Sequence, residues 1–503
     1  MDVWALMSLS DKTGAEELAR DLQRRGYQIL ATQSTAQYLR DRGLPVTTVE
    51  SLTGFGEVLS GRVKTLHPLI YAGLLATDQA EHQAQRQALG APDIRVVAVN
   101  LYPFESRWRE GASLDALIEE IDIGGVSLIR AAAKNFRRVT VLTSPAQYRD
   151  FVQRREEELT ASYRQSLAVR ALYHVAYYDA VIARALAGDR PDWPDFWALP
   201  GIRGEALRYG ENPHQDAALY WDPAGQGFAK AELLQGKTLS YNNYADADTA
   251  IRLAYDFDEP AAVVVKHQTP AAAALGSDIR EAYRKAAAAD PVSIFGGVVA
   301  VNRPIDRELA EALVEVFLEV VLAPEVSEEA KAILGAKRNL RVLRMPPPPT
   351  AGYDVKAIWG GVLVQPADFF AAPPSTWKQV AGPDFRTRAA FRDLDLAWKT
   401  VARVKSNAIV VAKDGVTVGI GGGQTNRVDA ARQALERAGS RAQGAVLASD
   451  GFFPFDDVMR LAQERGIAVV VQPGGSIRDQ DSVAVAEAAG ISLLITGERH
   501  FRH

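Results

Sequence analysis

The sequence contains no cysteine, and this absence excludes several kinds of chemistry. A chain of 503 residues without cysteine cannot form disulfides, Fe–S clusters, cysteine-ligated zinc sites or a thiolate nucleophile. It also lacks any apolar run close to the ~18–20 residues that a membrane-spanning helix requires. Nucleophilic and acid–base steps must therefore come from His, Lys, Asp, Glu, Tyr, Ser or Thr.

The chain also lacks an excess of positive charge. Its net charge of −5 argues against the broad basic surface of a nucleic-acid binder. The first residues, Met1 to Trp4, carry an acid where a secretory signal has basic residues, so we expect a cytoplasmic protein. The hydrophobic share of 47% and the charged share of 24% are typical of a soluble globular protein. The length predicts about three folding units, and the composition favours an enzyme of small molecules.

Strand and helix patterns alternate over the first ~190 residues, which predicts an α/β layer. We predict strands at residues 4–9, 27–31, 95–100 and 138–143, and helices at 13–25 and 160–186. The segment 188–201, rich in Pro, Asp and Trp, breaks the pattern and predicts a linker.

The second part of the chain alternates in the same way. We predict strands at residues 261–265 and 298–301, helices at 277–289, 306–322 and 394–404, and a hairpin of 409–413 with 416–420. Asp414-Gly415 is a strong signal for the hairpin turn. The four prolines at 346–349 indicate a break between two lobes, and a duplicated lobe across them is one possibility.

Polar residues follow the predicted strands of the first domain. Ser10, Asp11 and Lys12 come after the first strand, and Thr32, Ser34 and Thr35 come after the second. Hydroxyls, an amine and free helix N–H groups are suited to an anion. Simple N-capping by Ser10 or Asp11 explains the first group equally well, but two such groups at adjacent strand ends favour a phosphate site.

Three further clusters complete the candidates of this domain. Arg62, Lys64 and Thr65 lie in a basic segment that can clamp a phosphate. Asn100 ends a predicted strand and Tyr102 follows it, and paired glycines after Asp122 let a ligand approach the backbone. A helix then carries Lys134, and we expect Lys134, Tyr102 and Asp122 to supply acid–base chemistry.

In the second domain, Lys266 and His267 end an apolar strand. A neighbouring cation favours the neutral imidazole that a general base requires, although a lone histidine is more often structural. The Arg208 guanidinium is suited to bind a phosphate, and the Tyr209 ring is suited to stack on a base. The spacing Gly419-x-Gly421-x-x-Gln424 lacks the third glycine of a dinucleotide site. The sequence shows no zinc spacing, no Walker A loop and no G-x-S-x-G elbow.

These motifs together resemble a known family. SDKTG (10–14), GRVKTLHP (61–68), NLYPF (100–104), DIGGVSLIRAAAKN (122–135), LRYGENPHQ (207–215), VKH (265–267) and SDGFFPF (449–455) occur in the order found in the bifunctional purine biosynthesis family, which joins AICAR transformylase to IMP cyclohydrolase. The resemblance implies an α/β fold: a methylglyoxal-synthase-like cyclohydrolase domain at 1–190, then a two-lobed, cytidine-deaminase-like transformylase domain at 191–503.

The resemblance also implies how the second domain works. It would transfer formyl from the co-substrate 10-formyltetrahydrofolate to the 5-amino group of AICAR, giving FAICAR. His267 would be the base, Lys266 would stabilise the oxyanion or protonate the leaving folate nitrogen, and Asn407 would orient the reacting groups. The positions matching AICAR contacts are Arg208, Tyr209, Gly296, Glu319, Arg427 and Arg499. The positions matching the folate side are Val428, Phe452, Ser476 and Ile477.

In the first domain the resemblance implies closure of FAICAR to IMP with loss of water. Lys64, Tyr102, Asp122 and Lys134 would surround the closing ring, with Lys134 transferring the proton. Nucleotide-binding positions would be Ser10, Asp11, Lys12, Thr32, Ser34, Thr35, Arg62, Thr65, Asn100, Ile123 and Gly124. The family is homodimeric, so we expect a homodimer, with no nucleic-acid or membrane partner and no catalytic metal.

The chain departs from the family at three places. Thr32-Gln33-Ser34-Thr35 replaces a loop that usually contains two glycines, Thr269-Pro270-Ala271-Ala272 replaces Asn-Pro-Cys-Gly, and Glu319 stands where animal members often have Asp. Two alternatives remain open. The chain could retain only the transformylase activity, with the altered loop marking a degraded cyclohydrolase, or it could be a nucleotide sensor without turnover.

Overall fold

A computed structural model describes residues 2–59, 61–188, 193–370, 373–385 and 387–503. The chain forms two units: one holds the described residues up to Ile202 with Asp222–Ala224, and the other holds Arg203–Trp221 with Gly225–His503. The predicted domain boundary at 190/191, and part of the predicted linker at 188–201, lie outside the described residues. That boundary stays a prediction.

The first unit is a parallel α/β layer, as its alternating pattern predicts. In the described part of this unit the sheet has the order β3-β2-β1-β4-β5, and every pair is parallel. The strands are β1 (Val3–Leu9), β2 (Tyr27–Ala31), β3 (Thr47–Thr48), β4 (Asp93–Asn100) and β5 (Thr140–Leu142). The helices are α1 (Ala15–Arg24), α2 (Gln33–Arg40), α3 (Val49–Thr53), α4 (Pro68–Leu75), α5 (Ala80–Ala88), α6 (Phe104–Arg109), α7 (Leu114–Glu119), α8 (Gly124–Lys134), α9 (Pro145–Gln153) and α10 (Ala161–Ala187).

The second unit is built on a long mixed sheet. Its strands are β6 (Ile202–Leu207), β7 (Ala217–Trp221), β8 (Glu232–Gln235), β9 (Ala261–Lys266), β10 (Thr269–Leu275), β11 (Gly297–Val301), β12 (Leu318–Ala323), β13 (Arg341–Arg344), β14 (Tyr353–Ile358), β15 (Gly361–Pro366), β16 (Lys378–Ala381), β17 (Ile409–Lys413), β18 (Val416–Gly421), β19 (Val446–Ser449), β20 (Val469–Gln472) and β21 (Ser492–Ile495). Within the described residues the sheet has the order β16-β21-β20-β19-β17-β18-β10-β9-β11-β12-β13-β8. The pairs β6–β7 and β14–β15 form separate ribbons.

Helices cover both faces of this sheet. They are α11 (Tyr241–Tyr255), α12 (Ile279–Ala289), α13 (Arg307–Leu313), α14 (Glu328–Leu334), α15 (Arg388–Val401), α16 (Arg427–Ala438), α17 (Asp457–Glu464) and α18 (Asp479–Ala489). Helices α11 and α15 share one apolar core on one face. On the other face α12–α14 pack over one half of the sheet and α16–α18 over the other half.

The two halves of the long sheet repeat one topology. Counted outward from the centre, β10-β9-β11-β12-β13-β8 corresponds strand for strand to β18-β17-β19-β20-β21-β16. The halves meet where β10 and β18 pair antiparallel, with Ala274 opposite Val416. In the chain they are separated by the segment that contains the four prolines and the β14–β15 hairpin. The two halves therefore form one continuous sheet, and an approximate twofold axis at its centre relates one half to the other.

One predicted element is wrong. The helix predicted over 306–322 ends at Leu313, and the segment from Leu318 to Ala323 is strand β12. Val320 and Val321 are both buried, on opposite sides of the sheet. A β-branched run that is buried on both faces is favoured as an interior parallel strand, and this packing overrides the helical spacing.

The glycines of β18 have a packing role. A Cβ at Gly419 would lie 2.0 Å from the carbonyl oxygen of Ala434, and one at Gly421 would lie 2.1 Å from that of Ala430. Both carbonyls belong to α16, so only glycine lets this helix approach the strand so closely. The rejection of a dinucleotide-binding role agrees with this arrangement. Among the described residues, no helix combines the length and hydropathy of a membrane span.

Candidate functional sites in the two units

In the first unit, polar groups meet at the carboxyl ends of β1, β2 and β4. The Asn100 side chain accepts from the backbone N–H groups of Ser10 and Asp11, at 2.6 and 2.9 Å, and donates to the Asp11 carbonyl oxygen at 2.6 Å. The Lys12 amine donates to the carbonyl oxygens of Leu9 and Ser10. Helix α1 begins after Gly14 without a side-chain cap. The loop is thus held by Asn100, and the capping interpretation of Ser10 or Asp11 is wrong.

The altered loop 32–35 lies beside this group. Thr35 is buried, and its hydroxyl oxygen accepts from the Leu9 N–H at 3.0 Å. Thr32 Oγ1 lies 3.5 Å from both Ser8 Oγ and Thr35 Oγ1. Ser34 is exposed at the start of α2. The hydroxyl of Thr35 therefore joins two loops, while Ser34 is open to a ligand.

Three further predicted residues of this unit come together. The Lys64 amine donates to the Tyr102 hydroxyl at 2.8 Å. Asp122 Oδ1 accepts from the Gly125 N–H at 2.6 Å, and a Cβ at Gly125 would lie 2.5 Å from Asp122 Oδ2. Burial raises the pKa of Asp122, while the charge of Lys64 acts in the opposite direction. An amine, a phenol and a carboxyl are thus adjacent, which is a set suited to moving protons.

Replacing Asp122 with Asn is expected to stabilise the protein at neutral pH. The raised folded-state pKa means that stability falls as pH rises from the ordinary value of 3.8 through the folded value. Asn keeps an acceptor for the Gly125 N–H without the buried charge. Thermal unfolding at pH 4 and pH 7 should show that the variant has a higher Tm than the parent, with the larger difference at pH 7. An equal shift at both values would contradict this assignment of the cost to ionisation.

The other candidates of this unit lie around that cluster without joining it. Arg62 pairs with Glu119 on the surface, and Ile123 is exposed. The Thr65 hydroxyl is buried without a hydrogen-bond partner in the described structure, and a Cβ at Gly124 would lie 2.6 Å from it. Lys134 is exposed as the last residue of α8. It lies ten positions after Gly124 in the helix, roughly 15 Å along the axis.

In the second unit, one edge of the sheet carries most of the predicted site. Lys266 ends β9, and its amine donates to the Phe295 carbonyl oxygen at 2.8 Å. The exposed His267 begins the turn into β10. Because β10 runs antiparallel to β18, the start of β10 lies on the same sheet edge as the end of β18 and the start of β17. The Lys266–His267 turn and the segment around Asn407 therefore face one side.

Asn407 belongs to a buried network centred on Arg427. The Arg427 guanidinium donates to Asn407 Oδ1 at 2.8 Å and to Ser449 Oγ at 2.9 Å, and it forms an ion pair with Asp450. Asp450 also accepts from Ser406 Oγ. Asp450 is 0% exposed and Arg427 is 6% exposed. Asp450 therefore holds both Arg427 and the segment that carries Asn407.

Replacing Asp450 with Ala is expected to destabilise the protein strongly. The change leaves the Arg427 guanidinium buried without its carboxylate, which costs on the order of 3–5 kcal/mol. Chemical denaturation followed by circular dichroism measures the loss. Asp429→Ala, which removes the exposed partner of Arg432, is the control and should change stability by less than about 1 kcal/mol. Similar losses for both variants would contradict a special role of the buried pair.

The remaining predicted residues of this unit lie in several places. Gly296 has a φ of 72° and donates its N–H to the Phe317 carbonyl oxygen at 2.7 Å. Glu319 pairs with Arg341 at 3.1 Å. Arg499 lies over the ring of Phe501, which Arg427 also approaches. Arg208 is exposed beside Tyr209. Of the folate-side positions, Phe452 and Ile477 are exposed, Ser476 accepts from the Arg478 N–H, and Val428 lies in the first turn of α16.

Sequence reasoning missed several residues of these clusters. Asp450 lies within the quoted motif 449–455, so a signal for it was present. Tyr148, whose hydroxyl accepts from Asn100 at 3.2 Å, and Tyr178, which accepts from the Asp122 N–H at 2.9 Å, gave no local signal. Nothing in the described ranges groups three or more acidic or histidine side chains in a way that could hold a metal ion.

Comparisons with known proteins place these features in context. The sequence model described as AICARFT/IMPCHase bienzyme matches residues 132–437, and that of the MGS-like domain matches residues 14–127. The bifunctional purine biosynthesis protein PurH of Thermoanaerobacter sp. (strain X514) is 46% identical over 505 residues, with 99% of each chain covered. PurH of Cutibacterium acnes (strain DSM 16379 / KPA171202) is 46% identical over 508 residues, covering 99% of this chain and 98% of its own. The crystal structure of ForH is 32% identical and covers 37% of this chain and 100% of its own, with a TM-score of 0.33.

Proposed function

Because the chain belongs to the AICARFT/IMPCHase bienzyme family and is thus a bifunctional enzyme of purine biosynthesis, we propose how its residues divide the two reactions. The substrates are the small molecules AICAR and FAICAR. The second unit carries out formyl transfer, and the first unit closes the ring to IMP.

Formyl transfer centres on Lys266 and His267. The co-substrate is a formyl-folate, which we assign as 10-formyltetrahydrofolate. His267 takes a proton from the 5-amino group of AICAR as the nitrogen of that amino group bonds to the formyl carbon. The bond from that carbon to the folate nitrogen then breaks, and Lys266 supplies the proton that the leaving nitrogen needs. The observation that carries this proposal is the shared sheet edge of the Lys266–His267 turn and the Asn407–Arg427 network.

We assign substrate binding to the charged and aromatic side chains of this unit. The exposed Arg208 and Arg499, which lies over the Phe501 ring, are assigned as donors for the AICAR phosphate. Arg427, which Asp450 holds, is assigned to the AICAR side through its contact with Asn407. We assign Tyr209 to stack on the base. The exposed aromatic and aliphatic side chains of Phe452 and Ile477 suit the apolar part of a folate. Gly296 and Glu319 complete the AICAR side, and Val428 and Ser476 complete the folate side.

Ring closure takes place at the Lys64–Tyr102–Asp122 cluster. The amino nitrogen of the carboxamide attacks the formyl carbon, and water leaves after proton transfer. Because the reaction is intramolecular, positioning supplies much of the rate. The loops that carry Ser10, Asp11, Lys12 and Ser34 hold the nucleotide phosphate, together with Arg62 and Thr65. Lys134 is proposed as a further proton-transfer group.

The proposal includes a homodimer and a cytoplasmic location. The β14–β15 ribbon supports self-association because its strands are exposed except at Val364, and Trp359 at its turn is fully exposed. Val362 and Leu363 on the second strand are also exposed. An apolar ribbon of this kind is covered in an assembled protein.

One assay tests the assignment of both reactions. Purified protein mixed with AICAR and 10-formyltetrahydrofolate should produce IMP. FAICAR alone should also give IMP if the altered loop 32–35 supports cyclisation. Formation of FAICAR without IMP would favour a chain that retains only the transformylase activity. Binding of nucleotide without turnover in either assay would favour a sensor.

A further inference from the structure

The turn that carries His267 has a counterpart in the other half of the sheet. Lys266-His267-Gln268 connects β9 to β10, and Lys413-Asp414-Gly415 connects β17 to β18 at the corresponding place. The lysine amines donate to corresponding carbonyl oxygens, of Phe295 at 2.8 Å and of Gln443 at 2.7 Å. Since the halves are related by a twofold axis, the second turn lies on the opposite sheet edge.

Each turn is held by one aspartate from a corresponding helix. Asp246 of α11 accepts the His267 N–H at 3.3 Å and the Gln268 N–H at 2.6 Å, one on each carboxylate oxygen. Asp393 of α15 accepts the Asp414 and Gly415 N–H groups in the same way, at 2.9 and 2.6 Å. The same device therefore fixes both turns.

The two turns differ in how much they need this support. His267 and Gln268 have φ values of 56° and 60°, and Asp414 and Gly415 have values of 55° and 75°. Glycine adopts the left-handed region without penalty, whereas a residue with a Cβ is disfavoured there. The second turn has glycine at its second position, but the first has Gln268. The conformation of the His267 turn thus depends more on its aspartate.

We propose that Asp246 is a positioning residue for formyl transfer, because its carboxylate fixes the backbone turn from which the His267 imidazole and the Lys266 amine project. The inference rests on the proposed function, in which His267 is the base. Asp246 is half-buried, and burial together with the nearby Glu319 raises its pKa. The cost of burying this carboxylate is offset by the two hydrogen bonds that it accepts from backbone N–H groups.

The test compares Asp246→Ala and Asp246→Asn with Asp393→Ala, the matched change in the turn on the opposite edge. Asp246→Ala should lower kcat for formyl transfer by about 100-fold, the scale of a misplaced catalytic group. Its KM for AICAR should stay within about threefold, because the residue acts through the turn and not on the substrate. Asp246→Asn keeps one acceptor and should fall between. Cyclisation of FAICAR should be unchanged in all three.

Asp393→Ala is expected to keep formyl transfer within about twofold of the parent, even where thermal unfolding shows a comparable loss of stability. Adding Gln268→Gly to Asp246→Ala should restore part of the lost kcat, because glycine removes the left-handed penalty at that position.

The outcomes separate the inference from its premise. If His267→Ala retains formyl transfer, the proposed site itself is wrong. If His267→Ala loses the activity but both Asp246 variants keep kcat within about twofold, the positioning role is overturned. An equal loss in Asp393→Ala would also overturn it, since the effect would then reflect general stability of the unit.

Discussion

Replacing His267 with Ala is expected to lower kcat for formyl transfer at least about 100-fold and to leave cyclisation of FAICAR unchanged. A positioned general base typically contributes on this scale. The attacking group is an aromatic amine, which is a weak nucleophile, so loss of the base affects the chemical step directly. The measurement is steady-state turnover of AICAR with 10-formyltetrahydrofolate, and in parallel of FAICAR alone.

The exposed position of His267 lets this experiment separate a loss of catalysis from a loss of stability. The residue is exposed in a turn, so its truncation creates no cavity and should leave thermal unfolding within about 0.5 kcal/mol of the parent. His214, another exposed histidine of the same unit, provides a matched control, and His214→Ala should keep more of the transformylase activity. A folded His267→Ala protein that lost both activities would show that the two sites are not independent.

Replacing Lys64 with Ala is expected to have the opposite pattern. The kcat for cyclisation of FAICAR should fall by roughly 100-fold, because fixed charges at a reacting centre contribute on this scale. The change removes the charge that faces Asp122 and the amine that contacts Tyr102. Formyl transfer, measured as FAICAR formation, should be unchanged. Accumulation of FAICAR from AICAR would be the direct sign of this separation.

Two companion variants define what the Lys64 result means. Tyr102→Phe removes only the hydroxyl that accepts from Lys64 and should reduce cyclisation less than Lys64→Ala. Lys134→Ala tests the proton-transfer role that the family resemblance implies. We expect a smaller loss there, since the Lys134 amine is exposed at the far end of α8. A greater loss in Lys134→Ala than in Lys64→Ala would make Lys134 the principal proton carrier.

Local patterns predicted the elements better than their ends. The strands at 27–31 and 261–265, and the hairpin around Asp414-Gly415, are present in the structure, because apolar β-branched runs and turn residues act over a few positions. The helix prediction for 306–322 is wrong at its end because Val320 and Val321 are buried on opposite faces of a sheet. Helical spacing in the sequence does not reveal this burial.

Candidate residues were predictable where they belong to a local motif. Lys64, Tyr102 and Asp122 were named from three separate motifs, yet their adjacency depends on how the chain returns to one sheet edge. Asp246 was not predicted, because it sits in a helix and acts on a turn more than twenty residues later. Such contacts across elements leave no local pattern.

The residue chemistry and the alternating α/β pattern can be predicted from the amino-acid sequence alone. Without cysteine, both reactions fall to Lys, His, Asp and Tyr, and of these residues Tyr102, Lys266 and His267 stand at the ends of predicted strands. In contrast, the two copies of one topology in the long sheet, and the equivalent turns that Asp246 and Asp393 hold, are visible only in the fold. Strand order and side-chain partners arise from pairing between segments far apart in the chain, and this pairing is set by the packing of the whole unit.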